Sequence, residues 1–319
     1  MEEITINTQA KHTHYDVIII GAGPGGLSSA LYTSRSNLTT LVIEKALVGG
    51  ELNNTDKIEN YLGFKTIKGY ELAEQMQESA FQFGAELLQG EVVQYSEVDN
   101  IKQVTISNGD VLTAKAIILA TGSRNRELGL PTEQEYKGRG ISYCALCDGF
   151  FYTGEDIIVV GGGDSAIEEG LYLTEFAKKV TIVHRREEFR AQPMLLEQAK
   201  QHPKINFIVN TEVDYFRGVN GVEQVRLKNT VTGEEQTLSV SGAFIYVGKE
   251  PQTNYVPNYL LTDDEWVNTN MDTSTKSKGV YAVGDIRHNQ LRQVATAVGD
   301  GAVAGQQVYH YIKSLTPTN

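Results

Sequence analysis

One supersecondary unit, repeated along the chain, constrains the fold more than any other feature. An apolar strand, a glycine loop, a helix and a second apolar strand follow one another over 15–43 and again over 156–183. The two loops read GAGPGG at 21–26 and GGGDSA at 161–166. Glycines at these spacings permit a tight turn, close approach of a pyrophosphate and close packing of the helix. The repeated unit therefore predicts an α/β protein with two dinucleotide-binding, Rossmann-like domains.

The two units differ at the end of their second strand. The first ends in Glu44, placed to accept hydrogen bonds from ribose hydroxyls, which predicts FAD or NAD. The second ends in HRR at 184–186, followed by Arg190. A basic cluster suits a ribose that carries a 2′-phosphate, so this unit predicts NADPH, with a solvated basic patch as the alternative.

The chain contains two cysteines, Cys144 and Cys147, and they lie in the hexapeptide CALCDG between the two glycine loops. Such a pair indicates a redox-active or metal-binding site rather than a structural crosslink. Zinc would need two more ligands, and the six histidines form no paired motif, so no metal is expected. Placed between two nucleotide sites, the pair predicts electron transfer to a dithiol.

Net charge and hydropathy limit the kinds of partner that the protein can bind and the cellular compartment in which we expect it. The net charge of −12 argues against non-specific binding to nucleic acid or to anionic membranes. Residues 1–14 lack the apolar core of a signal peptide, and no apolar run approaches the roughly 18 residues that span a bilayer. We therefore expect a cytoplasmic protein, where a cysteine pair cycles between dithiol and disulfide.

Two further strands end in small-residue turns, at AIILATG (116–122) and at GVYAVGD (279–285). In flavoproteins with two dinucleotide sites, strand ends of this kind close the FAD site, with the acidic residue on the ribityl chain. Each alone fits an ordinary strand and turn. Combined with the first glycine loop, they favour FAD over NAD.

With these motifs in this order, the chain resembles the low-molecular-weight, bacterial-type thioredoxin reductases over essentially its whole length. The motifs that carry the resemblance are GAGPGG (21–26), GGEL (49–52), IEN (58–60), ATG (120–122), CALCDG (144–149), GGGDSA (161–166), HRREEFR (184–190), GD (284–285) and RQ (292–293). The resemblance implies FAD at the first site, NADPH at the second, a disulfide exchanged with thioredoxin, and a homodimer.

Roles of individual residues follow from the two loops and from the resemblance. The predicted FAD residues are Gly21, Gly23, Pro24, Gly25, Gly26, Glu44, Lys45, Gly50, Glu51, Leu52, Asn60, Ala120, Thr121, Gly122, Asp285, Arg292, Gln293 and Ala295. The predicted NADPH residues are Gly161, Gly163, Asp164, Ser165, Ala166, His184, Arg185, Arg186 and Arg190. One departure concerns Glu51, where the family commonly has Gln, and a carboxylate there would make the reduced, anionic flavin harder to form.

The resemblance also assigns the chemistry of the cysteine motif. It implies that Cys147 faces the flavin, that Cys144 attacks the disulfide of the partner, and that Asp148 is the acid for proton transfer. The pair is expected to open a helix, whose positive end lowers the pKa of a thiol. The alternative for Asp148 is a carboxylate that satisfies free N–H groups at the helix start.

The order of the motifs predicts an interrupted domain. The FAD domain is expected over 1–123 and 249–319, and the NADPH domain, which carries the cysteines, over 124–248. Each is expected to be Rossmann-like, with a three-layer ββα architecture. Because dithiol and nicotinamide share one domain and must meet one flavin, we expect that domain to rotate about linkers near 122–126 and 247–251.

Other functions remain open at this stage. A flavin-dependent thiol oxidase would not need the intact second loop and its basic cluster. The sequence does not clearly distinguish a thioredoxin reductase from a reductase of another disulfide, such as that of a low-molecular-weight thiol or of a peroxiredoxin system. A redox sensor that binds both nucleotides would signal rather than turn over, and a ferredoxin or flavodoxin reductase would leave both cysteines idle.

Overall fold

The computed structural model describes residues 6–55, 58–98, 101–288 and 291–315, and these divide between two compact units. The outer unit consists of Met1–Arg124 and Pro251–Asn319, and the inserted unit of Asn125–Glu250. The predicted FAD domain also includes 1–5 and 316–319, which lie outside the described residues. Within the described ranges, no helix combines the length and the apolar character needed to cross a membrane.

Helices and strands alternate through much of both units. The helices are α1 (Pro24–Arg35), α2 (Gly69–Phe81), α3 (Pro131–Tyr136), α4 (Ala145–Asp148), α5 (Asp164–Leu173), α6 (Pro193–Gln201) and α7 (Val294–Leu315). The strands are β1 (Ile6–Asn7), β2 (His14–Ile20), β3 (Thr40–Glu44), β4 (Glu86–Gln89), β5 (Val92–Val98), β6 (Ile101–Ile106), β7 (Val111–Leu119), β8 (Ser123–Asn125), β9 (Ile141–Ser142), β10 (Asp156–Gly161), β11 (Lys179–Val183), β12 (Ile205–Ile208), β13 (Thr211–Arg217), β14 (Gln224–Asn229), β15 (Glu235–Ser239), β16 (Gly242–Tyr246), β17 (Lys249–Pro251) and β18 (Val280–Ala282).

In the outer unit, a parallel sheet is built around β2, which pairs with β3 and β7. The strand order is β1-β4-β3-β2-β7-β6-β5, with β18 paired to β7, and β6 runs antiparallel to its neighbours β5 and β7. Alternate residues of β2 enter different cores. Val17 and Ile19 pack with apolar residues of α1 and α7, whereas Ile18 and Ile20 pack with residues of β5 and β6.

The inserted unit repeats this arrangement on a smaller scale. Its central sheet is parallel, in the order β12-β11-β10-β16-β9, and an antiparallel sheet β13-β14-β15 accompanies it. Ile157 and Val159 of β10 pack with residues of α5 and α6, while Ile158 and Val160 pack with residues of the antiparallel sheet. Each unit thus has helices on one face of a parallel sheet and antiparallel strands on the other, which confirms the predicted Rossmann-like α/β class.

The helices after the two glycine loops begin earlier than their apolar patterns indicate. The sequence predicts helices over 27–36 and 167–177, but α1 begins at Pro24 and α5 at Asp164. Glycine precedes each helix in an extended conformation, and proline suits the first helical position because its missing N–H has no intrahelical partner. Helix α5 ends at Leu173, and the hydroxyl of the next residue, Thr174, donates to the carbonyl of Leu171 at 2.6 Å.

The chain passes between the units along two segments, β8 and β17, which pair with each other as a two-stranded sheet. Gly122 and Gly248 adjoin these strands with φ of +70° and +118°, values that favour glycine. Next to β8, Arg126 donates its backbone N–H to the Gly248 carbonyl at 2.9 Å, and its Nε lies 3.0 Å from Glu250 Oε1.

Candidate redox site and nucleotide-binding loops

The first glycine loop is shaped by contacts within the outer unit. A Cβ on Gly21, whose φ is +105°, would lie 2.5 Å from the Ala120 carbonyl oxygen. A Cβ on Gly26 would lie 2.0 Å from the Gly21 oxygen, so these two positions exclude a side chain. At Gly23, a Cβ would meet no atom within 4 Å. Gly23 therefore leaves open space where α1 begins, as an approaching pyrophosphate requires.

Glu44 ends β3 beside this loop. One carboxylate oxygen accepts the N–H of Ala22 at 2.7 Å, and the other accepts the N–H of Ala46 at 2.9 Å. A carboxylate oxygen can accept a further hydrogen bond, so Glu44 both fixes the loop and retains capacity for ribose hydroxyls. The neighbouring Lys45 is exposed and lies 3.6 Å from a carboxylate oxygen of Glu91.

A 3₁₀ turn over Gly50–Asn54 packs against the glycine loop. Gly50 has φ of +56°, and a Cβ there would lie 3.3 Å from the Cα of Gly23. Leu52 is buried, whereas Glu51 is exposed and accepts a hydrogen bond from the Asn54 amide at 3.3 Å. The turn thus brings the GGEL motif next to the GAGPGG motif.

Two predicted FAD residues from distant parts of the sequence are in contact. The Asn60 amide donates to Gln293 Oε1 at 3.1 Å across 233 positions of sequence. The adjacent Arg292 places its guanidinium 4.2 Å from the ring centroid of Trp266. Burial lowers the pKa of Arg292, although the charge of Asp285 acts in the opposite direction. Within the described residues, Arg292 Nε is buried without a hydrogen-bond partner, a polar atom suited to a bound anionic or polar group.

The remaining predicted FAD residues lie at strand ends or at the start of α7. The Thr121 hydroxyl donates to the Gln252 carbonyl at 2.8 Å and lies 3.1 Å from the hydroxyl of Tyr255. Ala120 packs against the first glycine loop, and Ala295 is exposed in the first turn of α7. The helix packs closely on α1, because a Cβ at Gly301 would lie 2.3 Å from a backbone oxygen of that helix.

The second glycine loop repeats these requirements. A Cβ on Gly161 would lie 2.4 Å from the Tyr246 carbonyl oxygen and 2.8 Å from the Cβ of Ala166. A Cβ on Gly163 would meet nothing within 4 Å, and Ser165 is exposed in the first turn of α5. The open position has the same place in both loops, which fits a pyrophosphate at each.

Asp164 follows the open glycine. Its carboxylate accepts the backbone N–H of Gln192 at 2.7 Å and the side-chain amide of the same residue at 3.3 Å. Asp164 therefore connects the start of α5 to the segment that precedes α6.

The basic cluster after β11 has a buried and an exposed part. Arg185, Arg186 and Arg190 are exposed. His184 is buried, with Nε2 3.2 Å from the Glu188 carbonyl oxygen, and its ring fills the space where a Cβ of Gly162 would lie. Burial lowers the pKa of His184, and the nearby arginines lower it further. The three arginines can thus meet an anion, while a nucleotide contact by His184 stays a prediction.

Cys144 and Cys147 form a disulfide with their Cα atoms 5.3 Å apart. Cys144 is the N-cap of the short helix α4, and its Sγ accepts the backbone N–H of Cys147 at 3.2 Å. The hydroxyl of Tyr246, at the end of β16, accepts the N–H of Ala145 at 2.6 Å. Across the described ranges, no group of three or more His, Cys, Asp or Glu side chains could hold a metal ion.

Asp148 is the last residue of α4. Its Oδ2 accepts a hydrogen bond of 2.6 Å from the Ser142 hydroxyl. Burial raises the pKa of Asp148, and this hydrogen bond partly opposes the effect. Cys144 is the N-cap of α4, and Asp148 precedes a 3₁₀ turn over Gly149–Tyr152 without a side-chain capping hydrogen bond, so capping does not account for the Asp148 carboxyl. A half-buried carboxyl with a raised pKa, one position from a redox-active cysteine, is suited to hold and deliver a proton.

Apolar side chains surround the cysteine motif at the surface. Leu146, between the cysteines, is 42% exposed, and Phe150 and Phe151 are 62% and 50% exposed. Exposed aromatic side chains in a cluster commonly mark a surface that contacts another protein.

Three residues of these sites were assigned no role from sequence. Ser142 lies six positions before Asp148 at a strand end, and Tyr246 ends an apolar strand that the glycine Gly248 follows. Trp266 is the one tryptophan of the chain and lies in an acidic loop segment. Each of these roles depends on a contact between separate elements of the fold, so it could not be predicted from composition or from the spacing of motifs.

The fold and the cysteine pair define a disulfide oxidoreductase with two nucleotide-binding units. The sequence model of the family described as pyridine nucleotide-disulphide oxidoreductase matches residues 15–301. The thioredoxin reductase of Bacillus subtilis (strain 168) is 47% identical over 306 residues, which cover 95% of this chain and 96% of that protein.

Solved structures agree with this similarity. The crystal structure of thioredoxin reductase from Streptococcus pyogenes MGAS5005 is 45% identical, with a TM-score of 0.90 over 95% of this chain and 99% of that one. That of Lactococcus lactis is 43% identical, with a TM-score of 0.65 over 94% and 99%. The chain belongs to the pyridine nucleotide-disulphide oxidoreductase family and, within it, to the thioredoxin reductases. This family uses a flavin and a pyridine nucleotide.

Proposed function

We propose that the protein is an NADPH-dependent, FAD-containing reductase of the disulfide of thioredoxin. The observation that carries the proposal is the Cys144–Cys147 disulfide beside the half-buried carboxyl of Asp148, in a unit that also holds a nucleotide loop with an arginine cluster. Overall, NADPH, one proton and a protein disulfide yield NADP⁺ and a dithiol. FAD, held by the residues of the outer unit, would supply two-electron transfer between NADPH and the Cys144–Cys147 disulfide.

The cysteines then act by thiol–disulfide exchange. Cys144, as the thiolate, attacks one sulfur of the thioredoxin disulfide and forms a mixed disulfide, while the other thioredoxin sulfur leaves as a thiolate. Cys147 attacks Cys144 Sγ, re-forms the internal disulfide and releases the second thioredoxin thiolate. Asp148, whose pKa is raised by burial, supplies a proton to a leaving sulfur and recovers one from the Cys147 thiol when that sulfur attacks Cys144 and the internal disulfide forms again.

The two cofactors are assigned to the two loops by the charge beside them. Glu44 suits the unphosphorylated ribose of FAD, and the buried, unpartnered Nε of Arg292 supports a polar ligand in the same unit. Exposed Arg185, Arg186 and Arg190 suit the 2′-phosphate of NADPH. The outer unit would then be the FAD domain and the inserted unit the NADPH domain.

We also propose that the inserted unit changes its orientation between the half-reactions. The disulfide and the second loop belong to this unit, whereas the predicted FAD residues belong to the outer unit. Dithiol and nicotinamide must each reach the same flavin, and β8 with β17 provides the connection. A crosslink that holds the disulfide next to the flavin should prevent reduction of FAD by NADPH, and normal reduction would refute the motion.

The partner is proposed from the surface beside the disulfide. Leu146, Phe150 and Phe151 offer an exposed apolar surface that a thioredoxin could cover while its disulfide meets Cys144. The relatives are named thioredoxin reductases, which supports this choice. A homodimer and a cytoplasmic location complete the proposal, and both rest on the resemblance and on cysteine usage.

Turnover with a set of acceptors separates the proposal from its rivals. The FAD-loaded protein is mixed with NADPH and with thioredoxin, with glutathione disulfide, with a peroxiredoxin disulfide, or with oxygen alone. Fast NADPH oxidation with thioredoxin, abolished in Cys144→Ser, supports the proposal. Faster turnover with another disulfide would replace the substrate, and dithiol oxidation by oxygen without NADPH would favour a thiol oxidase.

A further inference from the structure

The hydroxyl of Ser142 connects the two functional parts of the cysteine motif. It donates to Asp148 Oδ2 at 2.6 Å and accepts the backbone N–H of Cys144 at 3.1 Å. One oxygen atom therefore touches both the residue that carries the proton and the residue that carries the attacking sulfur. The backbone closes the same loop, because the N–H of Asp148 donates to the Cys144 carbonyl at 3.1 Å.

Ser142 is itself held by the core of the inserted unit. It ends β9, which pairs in parallel with β16 through Ala243–Ile141 and Phe244–Ser142, and the serine is 5% exposed. The backbone that carries this hydroxyl is therefore fixed by the central sheet. The next element of that sheet also serves the motif, since Tyr246 accepts the N–H of Ala145.

The hydrogen bond from Ser142 to Asp148 affects the pKa of a carboxyl that has other titratable groups around it. Burial raises the pKa of Asp148, and the Ser142 hydroxyl opposes that rise by stabilising the carboxylate. The charge of Asp148 raises the pKa of Tyr152, on the turn after α4, and that of Tyr246. The charge of Glu169, on α5, also raises the pKa of Tyr246. Burial raises the pKa of each of these three groups as well.

We propose that Ser142 is a positioning residue for disulfide reduction, which holds the Asp148 carboxyl and the Cys144 backbone in one fixed arrangement. The inference deepens the proposed function and rests on it. In Ser142→Ala the carboxylate loses a hydrogen-bond donor and the Cys144 N–H loses its acceptor, while burial of Asp148 persists. The proton would then be both less well placed and more tightly bound.

The test uses the flavin-loaded protein and needs no thioredoxin. The cysteine pair is reduced without oxygen, and the rate of its alkylation by iodoacetamide is measured against pH. The inflection that Asp148→Asn removes belongs to Asp148. In Ser142→Ala this inflection should move to higher pH by about one unit, because the bond lost is one to a charged group. Reduction of the disulfide by NADPH should slow about tenfold in the same variant.

Two further variants separate positioning from general damage. Ser142→Thr keeps a hydroxyl and should retain the inflection of the unsubstituted protein. Ser241→Ala removes a hydroxyl that donates to Glu155 at 2.6 Å elsewhere in the inserted unit, and should change neither the profile nor the reduction rate. Normal reduction of FAD by NADPH in Ser142→Ala shows that the unit is folded.

Three results would overturn the proposal. They are an unshifted inflection in Ser142→Ala, an equal shift in Ser241→Ala, and a profile that Asp148→Asn leaves unchanged. Failure of the proposed function is visible separately, as absence of thioredoxin turnover in the unsubstituted protein, while the alkylation profile still decides the role of Ser142.

Discussion

The first glycine loop allows the needs of the fold to be separated from the needs of the ligand by two alanine substitutions. Gly23 has φ of −74° and ψ of −179°, an extended conformation open to any residue, and a Cβ there would meet no atom within 4 Å. Alanine restricts the unfolded chain and gains about 0.4–1 kcal/mol, but it is a poorer N-cap than glycine by a similar amount. We expect the stability of flavin-free Gly23→Ala to lie within about 0.5 kcal/mol of the original.

Gly26→Ala should behave in the opposite way. Its Cβ would lie 2.0 Å from the Gly21 oxygen, which is backbone and cannot rotate aside. Overpacking of this kind costs about 1–3 kcal/mol or more. For a unit of this size each kcal/mol lowers Tm by about 2–4 °C. Flavin-free Gly26→Ala should therefore unfold about 2–12 °C below the original.

The two variants are compared by thermal unfolding without flavin and by fluorescence titration with FAD. Gly23→Ala should unfold normally yet bind FAD at least about tenfold more weakly, a loss of about 1.4 kcal/mol, because its methyl group occupies the space of the pyrophosphate. The increase in Tm on adding FAD should shrink accordingly. Undiminished FAD affinity in Gly23→Ala, or normal stability of flavin-free Gly26→Ala, would refute this reading of the loop.

Three further predictions address the inserted unit. Replacing Arg185 and Arg186 with Gln should raise KM for NADPH at least about tenfold with little change for NADH, since only NADPH carries the 2′-phosphate; equal effects on both would show that the cluster does not contact this phosphate. Cys147→Ser should keep reduction of FAD by NADPH, followed by flavin absorbance, and lose thioredoxin turnover; retained turnover would reverse the assignment. His184 has its pKa lowered by burial, so the unfolded chain binds the extra proton, and stability should fall as pH drops below about 6.5. Urea unfolding against pH checks this, and His184→Phe should have a flatter acid limb.

Much of the fold could be predicted because local signals agreed with it. Apolar, β-branched runs became the buried strands β2, β3, β10 and β11, and each glycine loop opened a helix. The starts of α1 and α5 were predicted three residues too late, because 24–26 and 164–166 carry residues that usually form loops. The glycine of each loop also contacts a distant strand end, as Gly21 contacts Ala120, and the sequence does not reveal such tertiary contacts.

The candidate sites were predictable only in part. The motifs identified which residues to examine, but not that Asn60 would meet Gln293 or that Arg292 would stack on Trp266. These pairs are separated in sequence by connections whose course depends on packing. The position of Asp148 relative to Ser142 depends likewise on the strand pairing of β9, a two-residue strand too short to leave a pattern.

The central claim is that electrons from NADPH pass through bound FAD to the one cysteine pair of the chain. It is tested most directly by mixing NADPH with the protein without oxygen, alkylating the thiols and measuring the mass. Because Cys144 and Cys147 are the only cysteines, two added alkyl groups report reduction of this disulfide. The account predicts two groups when both FAD and NADPH are present, and none when either is omitted. An unalkylated pair in the FAD-loaded protein with NADPH, or alkylation that does not depend on FAD, would contradict it.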